Sequence, residues 1–267
     1  KKIGYALAEK YDRLIFRAIS KGARIASPIT KSNFVEPGGS QIQVGAGSNA
    51  DDALTASTLV TAFYDAAAVL DEKGISNDGR CAVLNPRQYY ALIKDCSNNN
   101  LINRDVQGTA LQSGEGILDI AGIKIYKSMN VPFFSKYGTK YAPGSNPSAA
   151  TDVDTVAPGN TGSFVDVATE DARASVTGVN NNYGNATDFA NSCGLIFQKE
   201  AAGVVEAMGP QVQVTSGDIN VIYQGDVILG RLAMGADFLN PAACVELFAG
   251  VTTKPAAFGG TYPANNN

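Results

Sequence analysis

Histidine is absent from all 267 residues. That removes the Ser-His-Asp triad, the Cys-His dyad and every imidazole metal ligand. The four cysteines, Cys81, Cys96, Cys193 and Cys244, form no CxxC pair. With no histidine to complete a site, a Cys/His zinc centre is excluded. Cys81 and Cys244 sit in apolar, strand-like runs, where a free thiol behaves as a small hydrophobe, and all four read as reduced. No run approaches about 18 uninterrupted apolar residues, so no membrane span is expected. No GxxxxGK[ST] loop is present, which excludes a P-loop NTPase. No signal peptide is visible. The chain opens at Lys1 inside a helical pattern, as a fragment or processed chain would.

Charge is sparse and uneven. Charged residues make up 17% against 45% hydrophobic, with a net charge of −4. A sizeable core is therefore expected, and a nucleic-acid-binding surface over the whole molecule is not. Residues 1–24 hold seven basic residues (Lys1, Lys2, Lys10, Arg13, Arg17, Lys21, Arg24) against Glu9 and Asp12. Residues 145–190 hold six acids (Asp152, Asp154, Asp166, Glu170, Asp171, Asp188) against Arg173. Two such surfaces suit contact between identical copies, or are two independently solvated faces.

The pattern along the chain is helix, strands, helix, strand, helix, hairpin, long loop and several strands. That is an α+β order, not the strict alternation of a doubly wound enzyme. Ile3, Leu7, Tyr11, Leu14, Ala18 and Ile25 trace one helical stripe with Ile15 and Ile19 beside it, and Pro28 stops the helix. Gln41–Val44 reads as a strand after the Pro37-Gly38-Gly39 turn. Leu59, Phe63, Ala66 or Ala67, and Leu70 mark a second helix over 55–73, with Thr55 or Ser57 to cap it and Gly74 at its C′ position. In CAVLNPRQYYALIKD, Cys81 to Asp95, Asn85 is a helix cap and Pro86 the first helical residue. Tyr89, Tyr90 and Ile93 turn back onto the strand, while Arg87 and Lys94 face solvent. Residues 95–115 read as loop, and Gly116–Lys127 as a hairpin about Ala121-Gly122. The 135–191 stretch has no sustained period. Strands follow at Gly194–Phe197, Gly203–Thr215, Ile219–Tyr223, Val227–Phe238 and Ala243–Phe248, punctuated by Asn240-Pro241.

Chemistry-bearing motifs are few. Gly45-Ala46-Gly47 begins like a dinucleotide fingerprint but lacks its third glycine and the immediate helix. Asp51-Asp52 suits a helix start. Asp152 and Asp154 lack the remaining ligands of a calcium loop. Asn185-Ala186-Thr187 is a glycosylation sequon by letters only. A carboxylate pair for glycoside hydrolysis would need no histidine, yet no pair stands out. The 11 tyrosines and 11 phenylalanines are spread out and phased like core residues. No catalytic, cofactor-binding or metal-ligating residue is expected.

Taken in order, the helix at 1–25, the helix at 55–73, CAVLNPRQYYALIKD, GILDIAGIKIYKSMNVP, GLIFQKEAAGVVEAM and YQGDVILGRLAMGADFLNPAACVELF resemble the major capsid protein family of tailed double-stranded DNA phages. The likeness is to the short-tailed podoviruses of the T-seven type, cyanophages included, and covers roughly residues 1–250. It implies the Hong Kong ninety-seven capsid fold. Residues 1–54 and 203–250 would then be the peripheral domain, with a spine helix at 1–25. Residues 55–202 would be the axial domain, with 135–191 an enlarged loop, and 251–267 a flexible tail. The implied function is a non-enzymatic, cofactor-free subunit of an icosahedral head that encloses packaged DNA without reading its sequence. The implied partners are further copies in hexamers and pentamers, a scaffolding protein, a portal and, as a candidate, a decoration protein, with no membrane. The implied place is the virion, assembled in the host cytoplasm. The family's N-terminal arm and extended loop have no counterpart here, so no lysine cross-link is carried over. The alternatives are a secreted or surface β-rich module binding carbohydrate or a receptor and, more remotely, a polysaccharide-acting enzyme.

Overall fold

The computed structural model describes residues 2–28, 30–31, 34–47, 49–94, 119–128, 130–131, 191–214 and 228–255. The expected loops at 95–115 and 135–190, the strand at 219–223, Cys96, both acidic and sequon motifs between 152 and 187, and residues 256–267 lie outside them.

In chain order the elements are α1 (Lys2–Ala23), β1 (Thr30–Lys31), β2 (Phe34–Val35), β3 (Ser40–Gln43), α2 (Ala56–Glu72), β4 (Arg80–Leu84), α3 (Pro86–Lys94), β5 (Asp119–Ile120), β6 (Ile123–Lys127), β7 (Ser192–Gln198), β8 (Ala202–Val214), β9 (Ile228–Phe238) and β10 (Cys244–Phe248). A one-turn 3-10 helix, Ala50–Leu54, precedes α2.

Six strands form one mixed sheet in the order β3-β10-β7-β4-β6-β5. The β3–β10 and β4–β6 pairs are parallel; the others are antiparallel. The sheet is thus built from strands on both sides of the sequence boundaries at 54 and 203. β8 and β9 form a separate two-stranded ribbon.

Helices cover both faces of the sheet. On one, α2 and α3 bury Leu59, Phe63, Leu70 and Leu92 against Leu84, Ile123, Ile196 and Leu247. Full burial of each such side chain contributes about 1.5–3 kcal/mol, so this layer dominates the core. On the other, the second half of α1 packs Phe16, Ile19 and Ala23 against Val83, Leu195, Ala243 and Cys244. The α1 stripe therefore runs slightly differently from the periodicity: Phe16 is buried, while Leu14 and Ile25 are half-buried. From Ala18 to Arg24 every residue but Lys21 is buried. Gly22 permits this, because a Cβ on it would lie 2.8 Å from Cys244 Sγ and 2.9 Å from Phe238 Cβ. Ile3 and Leu7, at the other end, lie against Gly230 of the ribbon.

Local chemistry sets the element ends. Gly74, at φ 72°, follows α2; its N–H donates to Asp71 O and that of Ile75 to Leu70 O, closing a Schellman motif. Thr55 occupies the N-cap of α2 without a side-chain cap bond. Asn85 Oδ1 accepts from Arg87 N at 3.1 Å, and Gln88 Oε1 accepts from Asn85 N at 3.1 Å, a reciprocal capping box. The second Asn-Pro repeats the device: Asn240 Oδ1 accepts from Ala242 N at 3.1 Å. Ala121 and Gly122 both adopt positive φ, 53° and 75°, as a two-residue hairpin turn between β5 and β6 requires.

Candidate functional site

Three basic residues in or just after α1, Arg13, Lys21 and Arg24, are engaged with the chain's own acids. Arg13 pairs with Glu9 one turn earlier. Lys21 Nζ reaches Asp237 of β9 at 3.0 Å. Arg24, just past the helix, forks onto Glu246 of β10, Nε to Oε2 and Nη2 to Oε1, both at 2.7 Å. Arg24 and Glu246 side chains are 1% and 0% exposed. Ser192 Oγ donates to Glu246 Oε1 at 2.6 Å and accepts from Arg24 Nη2 at 3.1 Å. Gln41 Nε2 reaches Glu246 Oε2 at 3.2 Å. Four segments, the end of α1, β3, β7 and β10, thus meet on one carboxylate. A buried pair survives desolvation only when its remaining hydrogen-bonding capacity is filled, as it is here. Each oxygen of the Glu246 carboxylate accepts two hydrogen bonds from the cluster, so it is a fastening and not an open ligand position.

Gly45-Ala46-Gly47 has a structural use. Gly45 and Gly47 both adopt φ 78°. The loop wraps Asp52, whose Oδ2 accepts from Ala46 N at 3.2 Å and whose Oδ1 accepts from Asn49 Nδ2 at 3.0 Å. A Cβ at Gly45 would fall 2.0 Å from Asp52 Oδ2. Beside it lies an open recess of about 330 Å³ lined by Gln43, Ser57, Thr61 and Asp65 among others. One carboxylate and a row of hydroxyls do not converge on a reacting atom. Among the described residues, no group of three or more Cys, Asp or Glu side chains is placed to hold a metal ion.

The described cysteines, Cys81, Cys193 and Cys244, are free thiols. Burial raises the Cys81 thiol to about 11 and the Cys244 thiol to about 12. Burial, and then the nearby Glu246 charge, push Cys193 well above the ordinary range. Thiols held protonated are poor nucleophiles. Tyr89 and Ile93 are buried against the sheet as expected, whereas Tyr90 is 48% exposed and its hydroxyl meets Lys127 Nζ at 3.1 Å. Val251 O and Pro255 O accept from Gln43 Nε2 and Gln41 Nε2, each at 3.0 Å, so the described start of the expected flexible tail is tied along the β3 edge.

Sequence reasoning missed Glu246, Ser192, Gln41 and Gln88. Gln88 carried a local signal, since a Gln three residues after an Asn cap marks a capping box. The other three lie far from Arg24 in the chain and carry none.

What remains conspicuous is apolar surface. Val205, Met208, Val212, Val214, Ile228 and Leu229 of the ribbon, and Leu239 just after it, are 38–74% exposed. Such a patch on an otherwise well-filled fold points to contact with another molecule. The family model described as Gp10A-like major capsid protein matches residues 1–172.

The chain belongs to the Gp10A-like major capsid protein family.

The solved capsid of cyanophage P-SCSP1u superposes on this family member with a TM-score of 0.62 at 27% identity, over 93% of this chain and 64% of that one. The mature capsid of bacteriophage PhiM1 gives a TM-score of 0.52 at 15% identity, over 94% and 63%. Mycobacterium phage Che8 gives 0.50 at 16%, over 91% and 60%. The last two likenesses concern the fold alone. The chain thus spans under two thirds of the length of these phage proteins. No curated protein matches it. The fold is the α+β Hong Kong ninety-seven capsid fold. Family membership takes the place of the secreted binding module.

Proposed function

We propose that this chain is a structural subunit of an icosahedral phage head, assembling with copies of itself into the shell around packaged double-stranded DNA. The observation that carries this reading is the major capsid family match over residues 1–172. The likeness to a cyanophage capsid over 93% of the chain supports it. The physics agrees. A shell subunit needs adhesive faces, and the ribbon presents apolar ones. A container for DNA gains from a wall that does not grip phosphate, and a net charge of −4 suits that. The buried acid and the thiols are locked into the fold, which supports a role without bond-making, cofactor or metal.

The finer reading follows from the family. Copies gather as hexamers and pentamers, a scaffolding protein and a portal take part, and a decoration protein is a candidate partner. The particle assembles in the host cytoplasm. The division into lobes is proposed as α1 with the β8–β9 ribbon for the peripheral domain and α2, α3 and the sheet for the axial domain. This assigns β3 and β10 to the axial side, because their ladders join that sheet.

Co-expression of the full-length protein with its scaffold, followed by sedimentation and electron microscopy, is the test. Closed shells are expected. Monomers alone, with no particles, would overturn the proposal.

A further inference from the structure

The two edges of the β8–β9 ribbon differ. β8 carries Pro210 and two register breaks, between Glu206 and Met208 and between Met208 and Gln211, each adding a residue to β8. Proline and bulges both blunt a strand edge against further pairing. β9 has neither. Its eleven residues, Ile228–Phe238, run without proline, and among the described residues no strand pairs with its outer edge.

From Leu229 onward β9 also has a strict alternation. Gly230, Leu232, Met234, Ala236 and Phe238 are half-buried on the face that meets α1, while Leu229, Arg231, Ala233, Gly235 and Asp237 are exposed on the other. Leu239 belongs with the second set, since it lies over Gly203, the cross-strand partner of Asp237. Outward from Met234 in both directions, this face meets Ala233 and Gly235, then Arg231 and Asp237, then Leu229 and Leu239. The order is a palindrome in size and in hydrophobicity, and its two charges are opposite. A surface of that kind is complementary to itself under a two-fold rotation.

We propose that β9 is a pairing edge for a second copy of this chain. The two β9 strands add antiparallel about a two-fold axis at Met234 and make a four-stranded sheet. Arg231 of one copy stands opposite Asp237 of the other, Leu229 opposite Leu239, and Ala233 opposite Gly235. Directly opposed residues of antiparallel strands share a face, and opposite charges there attract. A shift of two residues in either direction would set Arg231 against Gly235 or Leu239 and lose both ion pairs. Asp237 already accepts from Lys21 and from Phe238 N, but 62% of its side chain stays exposed, leaving a flank for the arginine. The inference rests on the shell-subunit reading only in taking the partner to be a second copy.

Full-length Arg231→Cys and Asp237→Cys proteins, alone and mixed in equal amounts, are oxidised and run on a non-reducing gel, both as soluble protein and as particles. The mixture is expected to yield disulfide-linked dimers in up to about half of the chains, the share of mixed pairs under random two-fold association. Each variant alone is expected to yield none, because in this register its own sulfurs lie roughly 20 Å apart. A dimer from Arg231→Cys alone, or none from the mixture, overturns the register. Shells without the cross-link sink this interface and leave the shell reading intact; cross-linked soluble dimers without shells do the reverse.

Discussion

At the scale of single residues, the carboxylate of Glu246 concentrates the most consequence. Arg24, Ser192 and Gln41 converge on it inside the fold. Removing one member of a buried, hydrogen-bonded ion pair leaves an uncompensated charge and costs about 3–5 kcal/mol. Arg24→Met is therefore expected to lower unfolding stability by about that amount, and urea denaturation measures it. Arg24→Met with Glu246→Leu should recover much of the loss, since apolar replacement of both partners is far less costly than orphaning one. The thiols give a second residue-level expectation. Burial raises Cys81 to about 11 and Cys244 to about 12, from an ordinary value of 9.0. The folded state therefore holds more protons than the unfolded one above pH 9. Their contribution to stability is fully present below pH 9 and is lost as pH rises through 11 and 12. Alkylation at pH 8, mapped by mass spectrometry, should leave Cys81, Cys193 and Cys244 unmodified until denaturant is added. Rapid labelling of Cys193 in native protein would contradict that.

At the scale of elements, the corner at Asn85 shows how a short sequence fixes a shape. Gln88 accepts from Asn85 N and donates to Ala53 O at 3.0 Å, with no exposed surface. Gln88→Ala orphans two buried backbone groups, and a loss of about 1–3 kcal/mol is expected by thermal or urea unfolding. Gly22→Val should be at least as harmful, because its Cβ position already lies within 3 Å of Cys244 and Phe238 side-chain atoms. These elements were largely legible from residue order. The 3.6-residue period of α2, the Asn-Pro cap of α3 and the Ala121-Gly122 turn each depend on neighbours within a few positions, and each appears where local chemistry puts it. The Arg24–Glu246 fork was not legible, because its partners are 222 residues apart and nothing in VELF distinguishes a buried glutamate from a solvated one. The pairing of Arg13, Lys21 and Arg24 within the basic run was not legible for the same reason: spacing alone does not show which cations meet acids of the same chain. For β9 a strand over 227–238 was legible, but not that among the described residues no other strand pairs with its outer edge.

At the scale of the whole molecule, the chain combines a densely covered sheet with a ribbon supported on one face. A two-stranded ribbon is marginal alone, and the covering by α1 leaves its other face in water. In hydrogen exchange, β8 and β9 amides of the unassembled chain are expected to exchange faster than those of β4, β7 and β10, and to become protected within particles. Equal protection of ribbon and sheet before assembly would contradict the assignment of the ribbon as adhesive surface.

The parallel ladder between β3 and β10 sets a condition on biosynthesis. Among the described residues, Ser40–Gln43 finds its ladder neighbour in Val245–Phe248, some two hundred positions later. A ribosome-bound chain therefore carries β3 without this ladder partner until Phe248 has emerged, and closure waits on translation. Arrest of synthesis before Cys244 should give a protease-sensitive chain, and release of the full length a resistant one. The sheet edge is in this sense closed by a strand made long after its neighbour, and cannot form by halves.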